Sequence, residues 1–213
     1  DLGAGDDVAF VSVSDLTSDV AIVGGTGNDT LNFGYIYNVS VTGHSFDDSV
    51  NVNMSSLGNA SNFENLVGTI SGADTLTGNS SDNVLIGSGG ADTLYGNSGD
   101  DTLYGDYGSG YGLRSYDIQS SQGNDKLFGG AGNDALSGNE GDDQLDGGTG
   151  TDTLIGGGGV DTFIIRVGDG SSTLASADVI TDFEDGVDWI GTVIGLVFAD
   201  LSVEQGTGSN SND

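Results

Sequence analysis

Apolar residues recur singly along this chain. Leu76, Leu85, Leu94 and Leu103 fall nine residues apart, and after a gap Leu127, Leu136, Leu145, Leu154 and Phe163 resume the same spacing. Each stands between two polar or variable positions, an out-in-out pattern that predicts a three-residue strand with one inward side chain. So short a strand does not persist alone; it buries its apolar position only by stacking on copies of itself above and below. Each strand follows six glycine-rich residues. In GGAGND, GNEGDD, GGTGTD and GGGGVD these close on Asp134, Asp143, Asp152 and Asp161. The pattern predicts an all-β parallel solenoid of nine-residue blocks.

The same phase extends outward. GNDKLF ends a block on Asp125, and upstream of the gap GNSGDDTLY, GSGGADTLY, GNSSDNVLI and TISGADTLT carry Asp101, Asp92, Asn83 and Asp74. A further full match, GGTGNDTLN at 24–32, carries Asp29, and weaker ones surround Asp7 and Asp48. Three regions follow from this. Residues 1–68 read as irregular solenoid coils with one strong block. Residues 69–164 form the regular array, interrupted within 105–122 by an insertion of fifteen residues, and 165–213 form a closing segment. The abrupt start and stop give the chain the look of a fragment.

Composition turns the pattern toward metal. Of 213 residues 40 are Gly, and 33 acidic residues face 3 basic ones, for a net charge of −30. Glycine and acidity at this level suit a disordered tail, but the fixed apolar position argues for order. Two carboxylates about 4 Å apart repel by a few kcal/mol at an effective dielectric near 20, so a cation has to complete the fold. With only Arg114, Lys126 and Arg166 as basic residues, nucleic acid and anionic membrane surfaces are disfavoured partners. The absence of Cys removes zinc-thiolate sites and thiol chemistry, and no apolar stretch approaches the length of a membrane-spanning helix. The turn suits a hard divalent ion: glycines permit positive φ and leave main-chain carbonyls unobstructed, while Asp supplies an anionic oxygen of the kind calcium prefers.

These GGxGxD blocks resemble the RTX (repeats-in-toxin) family of secreted calcium-binding proteins. The resemblance implies a right-handed parallel β-roll, two blocks to a turn, with several Ca²⁺ ions bound between block n and block n+2 by both Asp side chains and by turn carbonyls. It pairs Asp74 with Asp92, Asn83 with Asp101, Asp125 with Asp143, Asp134 with Asp152, and Asp143 with Asp161, and makes Asp29 the best candidate near the N-terminus. The turn carbonyls would come from Gly87 and Gly89, Gly96 and Ser98, Gly129 and Ala131, Gly138 and Glu140, Gly147 and Thr149, and Gly156 and Gly158. Asn83 brings no charge, so its site is expected to be weaker. The resemblance also implies a secreted or cell-surface protein that folds on meeting extracellular calcium. After Phe163, ADVITDFEDGVDWIG resembles the segment that closes such rolls; Val179, Ile180, Phe183, Trp189 and Ile190 would cover the last rung, with Asp182 and Asp188 read as solvated surface acids ahead of the alternative that one of them binds a further calcium.

Other chemistry finds little support. HExxH, GxSxG and phosphate-loop motifs are absent, the four Glu (Glu64, Glu140, Glu184, Glu204) lie far apart, and His44 is the single histidine, so catalysis is not expected within these residues. An ice-binding array is broken by Lys126, Gln144 and Asp146 among the outward positions. Tyr107, Tyr111, Arg114 and Tyr116 concentrate aromatic area and a cation in the insertion, which reads as a neutral loop or as a contact for glycans or other copies of the parent surface protein. An exported protease, lipase or polysaccharide-modifying enzyme, or an adhesin or surface-layer protein, with its active domain elsewhere, stands as the alternative whole.

Overall fold

The computed structural model describes residues 2–11, 22–33, 51–56, 60–61, 63–69, 72–106, 123–166 and 177–192. Its strands are parallel and alternate between two main sheets. One sheet orders β1 (Val8–Phe10), β3 (Thr30–Asn32), β6 (Asn65–Val67), β8 (Val84–Ser88), β10 (Thr102–Asp106), β12 (Ala135–Glu140), β14 (Thr153–Gly158) and β16 (Val179–Ile180). The other runs from β4 (Asn51–Asn53) through β7 (Thr75–Thr77), β9 (Thr93–Ser98), β11 (Lys126–Ala131), β13 (Gln144–Thr149) and β15 (Thr162–Ile165) to β17 (Trp189–Thr192). A two-stranded sheet pairs β2 (Ile22–Val23) with β5 (Ala60–Ser61). Successive strands of the array lie in opposite sheets and each pairs with the strand two along, which is the parallel β-roll.

The register is set by the apolar position. Leu85 pairs with Leu103 and Leu103 with Leu136 in one sheet, while Leu94 pairs with Leu127 and Leu127 with Leu145 in the other. The two inward columns meet in a single core in which Leu31, Leu66, Leu76, Leu85, Leu94, Leu103, Leu127, Leu145, Leu154 and Phe163 have no exposed surface. Each such side chain contributes about 1.5–3 kcal/mol, and one per block makes a thin core. The strands are longer than the apolar pattern predicts. β11, β12, β13 and β14 each span six residues, running on into the first three residues of the next turn, because those glycine-rich backbones pair with the turns above and below.

The insertion leaves this frame unbroken. β9 pairs directly with β11, and β10 with β12, although their equivalent residues are 33 positions apart instead of 18. The fifteen extra residues fall in sequence between Asp106 and Gly123, outside the described residues. Tyr107, Tyr111, Arg114 and Tyr116 lie outside the described residues, as do His44 and Asp48. Among the described residues no helix is long and apolar enough to cross a membrane.

The closing segment differs from expectation. Ile180 and Ile190 continue the inward columns by pairing with Leu154 and Phe163, and the Phe183 ring tilts onto Phe163 at 6.1 Å. Val179, Phe183 and Trp189 remain exposed, Trp189 to 66%. Val179 and Trp189 occupy the outward position before Ile180 and Ile190, so alternation along the strand turns them to solvent.

Candidate metal centre

The last residue of each turn lies on one of two edges of the roll, buried along the array and half-buried at Asp7, Glu64, Asp178 and Asp188. Along the edge feeding the eight-stranded sheet the sequence is Asp7, Asp29, Glu64, Asn83, Asp101, Asp134, Asp152 and Asp178; along the other it is Asp74, Asp92, Asp125, Asp143, Asp161 and Asp188. From Asp29 onward on the first edge and from Asp92 onward on the second, each carboxylate accepts, through one oxygen, the main-chain N–H of its counterpart two blocks earlier. Asp92 N donates to Asp125 Oδ1 at 2.7 Å, Asp125 N to Asp143 Oδ1 at 2.8 Å, Asp101 N to Asp134 Oδ1 at 2.7 Å and Asp134 N to Asp152 Oδ1 at 2.8 Å. The 92–125 and 101–134 links cross the insertion and escape a reading of local spacing.

The second oxygens have a different environment. Oδ2 of Asp29, Asp92, Asp101, Asp125, Asp134 and Asp143 is buried without a hydrogen-bond partner among the described residues. Beside each of Asp92, Asp101, Asp134 and Asp143 stands the first glycine of its own turn, and beside Asp125 stands Gly105, from before the insertion. A Cβ built on Gly96 would overlap Asp101 Oδ2 and lie 2.5 Å from the Gly129 carbonyl oxygen; one on Gly129 would overlap Asp134 Oδ2 and lie 2.5 Å from the Gly147 carbonyl. Gly87 and Gly138 repeat this with Asp92 and Gly105, and with Asp143 and Gly156. Carboxylate and carbonyl oxygens thus converge on the same space, acceptor toward acceptor. Such an arrangement is costly unless a proton or cation enters it.

The turn glycines divide by reason. Gly130, Gly132, Gly148, Gly150, Gly157 and Gly159, at the second and fourth positions, adopt positive φ, which Ser88, Asn97 and Asn139 also adopt at second positions. The first-position glycines keep clear the space between carboxylate and carbonyl. The third-position carbonyls of Ala131, Thr149 and Gly158 each accept a main-chain N–H from the turn two blocks earlier, while Gly89, Ser98 and Glu140 hold the same place in their own turns.

Burial keeps Asp92, Asp101, Asp125, Asp134, Asp143 and Asp161 of the regular array protonated to higher pH than usual. Asp92 is pushed up to about 9, Asp143 to about 8 and Asp125 to about 7, first by desolvation and then by neighbouring carboxylates, with main-chain hydrogen bonds opposing. Asp101 and Asp134 rise to about 6 and Asp161 rises as well, again led by desolvation. Asp106, buried beside this edge, also reaches about 6 through desolvation. Among the described residues no three His, Cys, Asp or Glu side chains gather on one point. The carboxylates stand in line, so an ion with the six to eight oxygen ligands of calcium needs main-chain carbonyls as well. The donor set here, hard oxygens from carboxylate and carbonyl, fits that ion.

Comparison with known families agrees. The RTX calcium-binding nonapeptide repeat family matches residues 19–34, 69–103, 117–145, 129–163 and 137–174, together just over half of the chain. The chain belongs to this RTX family. It therefore contains a calcium-binding β-roll module. A search of curated proteins returns no match.

The RTX ladder extends beyond the matched residues. Asp7 N donates to Asp29 Oδ1, Asp29 N to Glu64 Oε2, Asp152 N to Asp178 Oδ1 and Asp161 N to Asp188 Oδ1. Glu64, Asp178 and Asp188 are members that the spacing does not reveal, although Asp178 and Asp188 precede an out-in pair as every ladder Asp does. Asp182, expected as a solvated acid, accepts the N–H groups of Gly156 and Gly157. A second, exposed ladder runs at the fifth turn position with the opposite sense: Asp100 N donates to Asp82 Oδ1, Asn133 N to Asp100 Oδ1, Thr151 N to Asn133 Oδ1 and Val160 N to Asp142 Oδ1. Its signal, Asp or Asn before the ladder Asp in GND and GDD, is present in the sequence.

Proposed function

We propose that this RTX roll takes up Ca²⁺ between carboxylates two blocks apart and folds because of it, as a module of an exported protein. The observation that carries the reading is the row of buried, unpartnered Oδ2 atoms facing main-chain carbonyls. Ions at 92–125, 125–143 and 143–161 on one edge, and at 101–134 and 134–152 on the other, neutralise these groups, each interior Asp serving two ions. Calcium when bound supplies charge neutralisation and joins successive turns; the chain's part is to hold the oxygens at a fixed spacing and exclude competing donors. Without it, a core of one apolar residue per block does not offset the ordering entropy and the self-repulsion of a chain with net charge −30. Extracellular modules bind calcium at about 10⁻⁴ to 10⁻³ M, so such a roll stays open at cytosolic calcium and closes outside the cell. Circular dichroism with millimolar calcium and then with excess EGTA tests this: a β-rich spectrum that collapses on chelation is expected, and one unchanged by chelation overturns it.

A further inference from the structure

The ladder is not uniform. Across residues 64–83 both edges depart from the pattern of a carboxylate oxygen facing a carbonyl, and in the same way: donors of the chain itself stand where the open oxygens are elsewhere.

On one edge the donor is Thr69. Gly68 takes the place of the first-position glycine, since a Cβ there would overlap Asp74 Oδ2 and approach the Gly87 carbonyl, so this turn is one residue longer than the TISGADTLT block suggests. The extra residue puts Thr69 against Asp74. Thr69 N donates to Asp74 Oδ2 at 2.6 Å, and the Thr69 hydroxyl lies 3.1 and 3.0 Å from the two carboxylate oxygens. Both side chains are at least nine-tenths buried. On the other edge Asn83 Oδ1, which occupies the position of the open Oδ2 beside Gly78, accepts Asn79 N at 2.8 Å. Asn83 Nδ2 donates to the Glu64 carbonyl at 2.8 Å, placing a donor where the array elsewhere presents a carboxylate.

We infer that the 74–92 and 83–101 rungs exclude calcium, Thr69 and Asn83 supplying hydrogen bonds in place of the ion, so that the calcium-loaded array is bounded at this level by a metal-independent collar. The inference rests on the calcium reading above. It separates two classes of rung within one repeat. An amide or hydroxyl closes the rung with a satisfied hydrogen bond, whereas the unpartnered Oδ2 atoms of Asp92, Asp101 and Asp125 leave theirs open to a cation. A donor fixed on a ligand oxygen has to be displaced before an ion can use it, and a neutral amide does not reward that exchange as a carboxylate does.

Native mass spectrometry of the full chain at one millimolar-range free calcium concentration tests the inference by gain of ions. Asn83→Asp restores a carboxylate, and deletion of Thr69 restores the six-residue turn and removes the donors. Each variant is expected to bind one ion more than the parent. An unchanged count overturns the inference for that rung, and an Asn83→Ala variant that binds one ion fewer overturns it by showing the amide already to be a ligand. A parent that binds no calcium overturns the calcium reading and this inference together.

Discussion

Asp125 accepts the Asp92 N–H through Oδ1 while its own N–H donates to Asp143, so removing its side chain touches two levels of the ladder at once. Binding contributes about 2.7 kcal/mol per site at calcium one hundred times Kd. Asp125→Ala is therefore expected to cost about 5 kcal/mol at that excess, and urea denaturation in calcium and in EGTA measures the difference; an equal loss in both buffers would mean that the carboxylate acts structurally and not through an ion. Glycine at the first turn position makes a separate contribution. In Gly96→Ala the new methyl has to displace either Asp101 Oδ2 or the Gly129 carbonyl. The calcium needed for half-folding should rise at least several-fold, while Gly186→Ala, which meets no neighbour but has φ of +83°, should alter stability and leave calcium affinity in place.

At the scale of the strand, each block contributes one side chain to the core, and losing one leaves a gap between two sheets. Leu136→Ala is expected to cost about 2–5 kcal/mol with calcium saturating, read from the urea midpoint. The insertion makes an opposite case. Deleting 108–122 restores the nine-residue spacing between Leu103 and Leu127, and shortening the loop from about 21 to 6 residues should add about 1 kcal/mol from closure entropy, with calcium-dependent folding retained. The blocks from Gly78 to Phe163 were readable in sequence because each strand needs the same inward residue and each turn the same carboxylate. Glu64 was not, since its partners Asp29 and Asn83 are 35 and 19 residues away and a longer side chain hides the match. The extra residue at Thr69 was equally hidden: its block keeps nine-residue spacing to the one that follows, Leu76 to Leu85, the ten residues from Leu66 to Leu76 fall at the border of the irregular region, and the packing of Gly68 against Asp74 shows where the turn begins. The six-residue strands were missed for a related reason, because their second halves are glycine-rich backbone whose pairing depends on neighbours and not on side-chain pattern.

Over the whole molecule, charge and proton uptake are coupled. Asp92, Asp143 and Asp125 sit at about 9, 8 and 7 in the folded roll, above the ordinary carboxylate value near 4. The metal-free roll thus binds more protons than the unfolded chain. The contribution of these groups to its stability is fully present below about pH 4 and is lost as pH rises through the range of about 7 to 9. Calcium has the reverse preference, since it competes with those protons. Without calcium, circular dichroism should show more β structure near pH 5 than near pH 8, while the calcium concentration required for folding should be higher near pH 5; a metal-free chain equally unfolded at both would contradict the burial of these groups. The inner hydrogen bonds also all point one way, from the N–H of one block to the carboxylate two blocks later. Trimming the chain is consequently not symmetric. Removal of 177–192 strips Asp152 N and Asp161 N of the carboxylate acceptors on Asp178 and Asp188, whereas removal of 2–11 takes no carboxylate acceptor from the inner ladder, its losses being the Gly3 and Asp7 carbonyls that accept Thr26 N and Thr30 N and the Asp6 Oδ1 that accepts Asn28 N. In the inner ladder each carboxylate serves the coil before it, so a cut at the tail leaves two buried N–H groups without their carboxylates and a cut at the head leaves none.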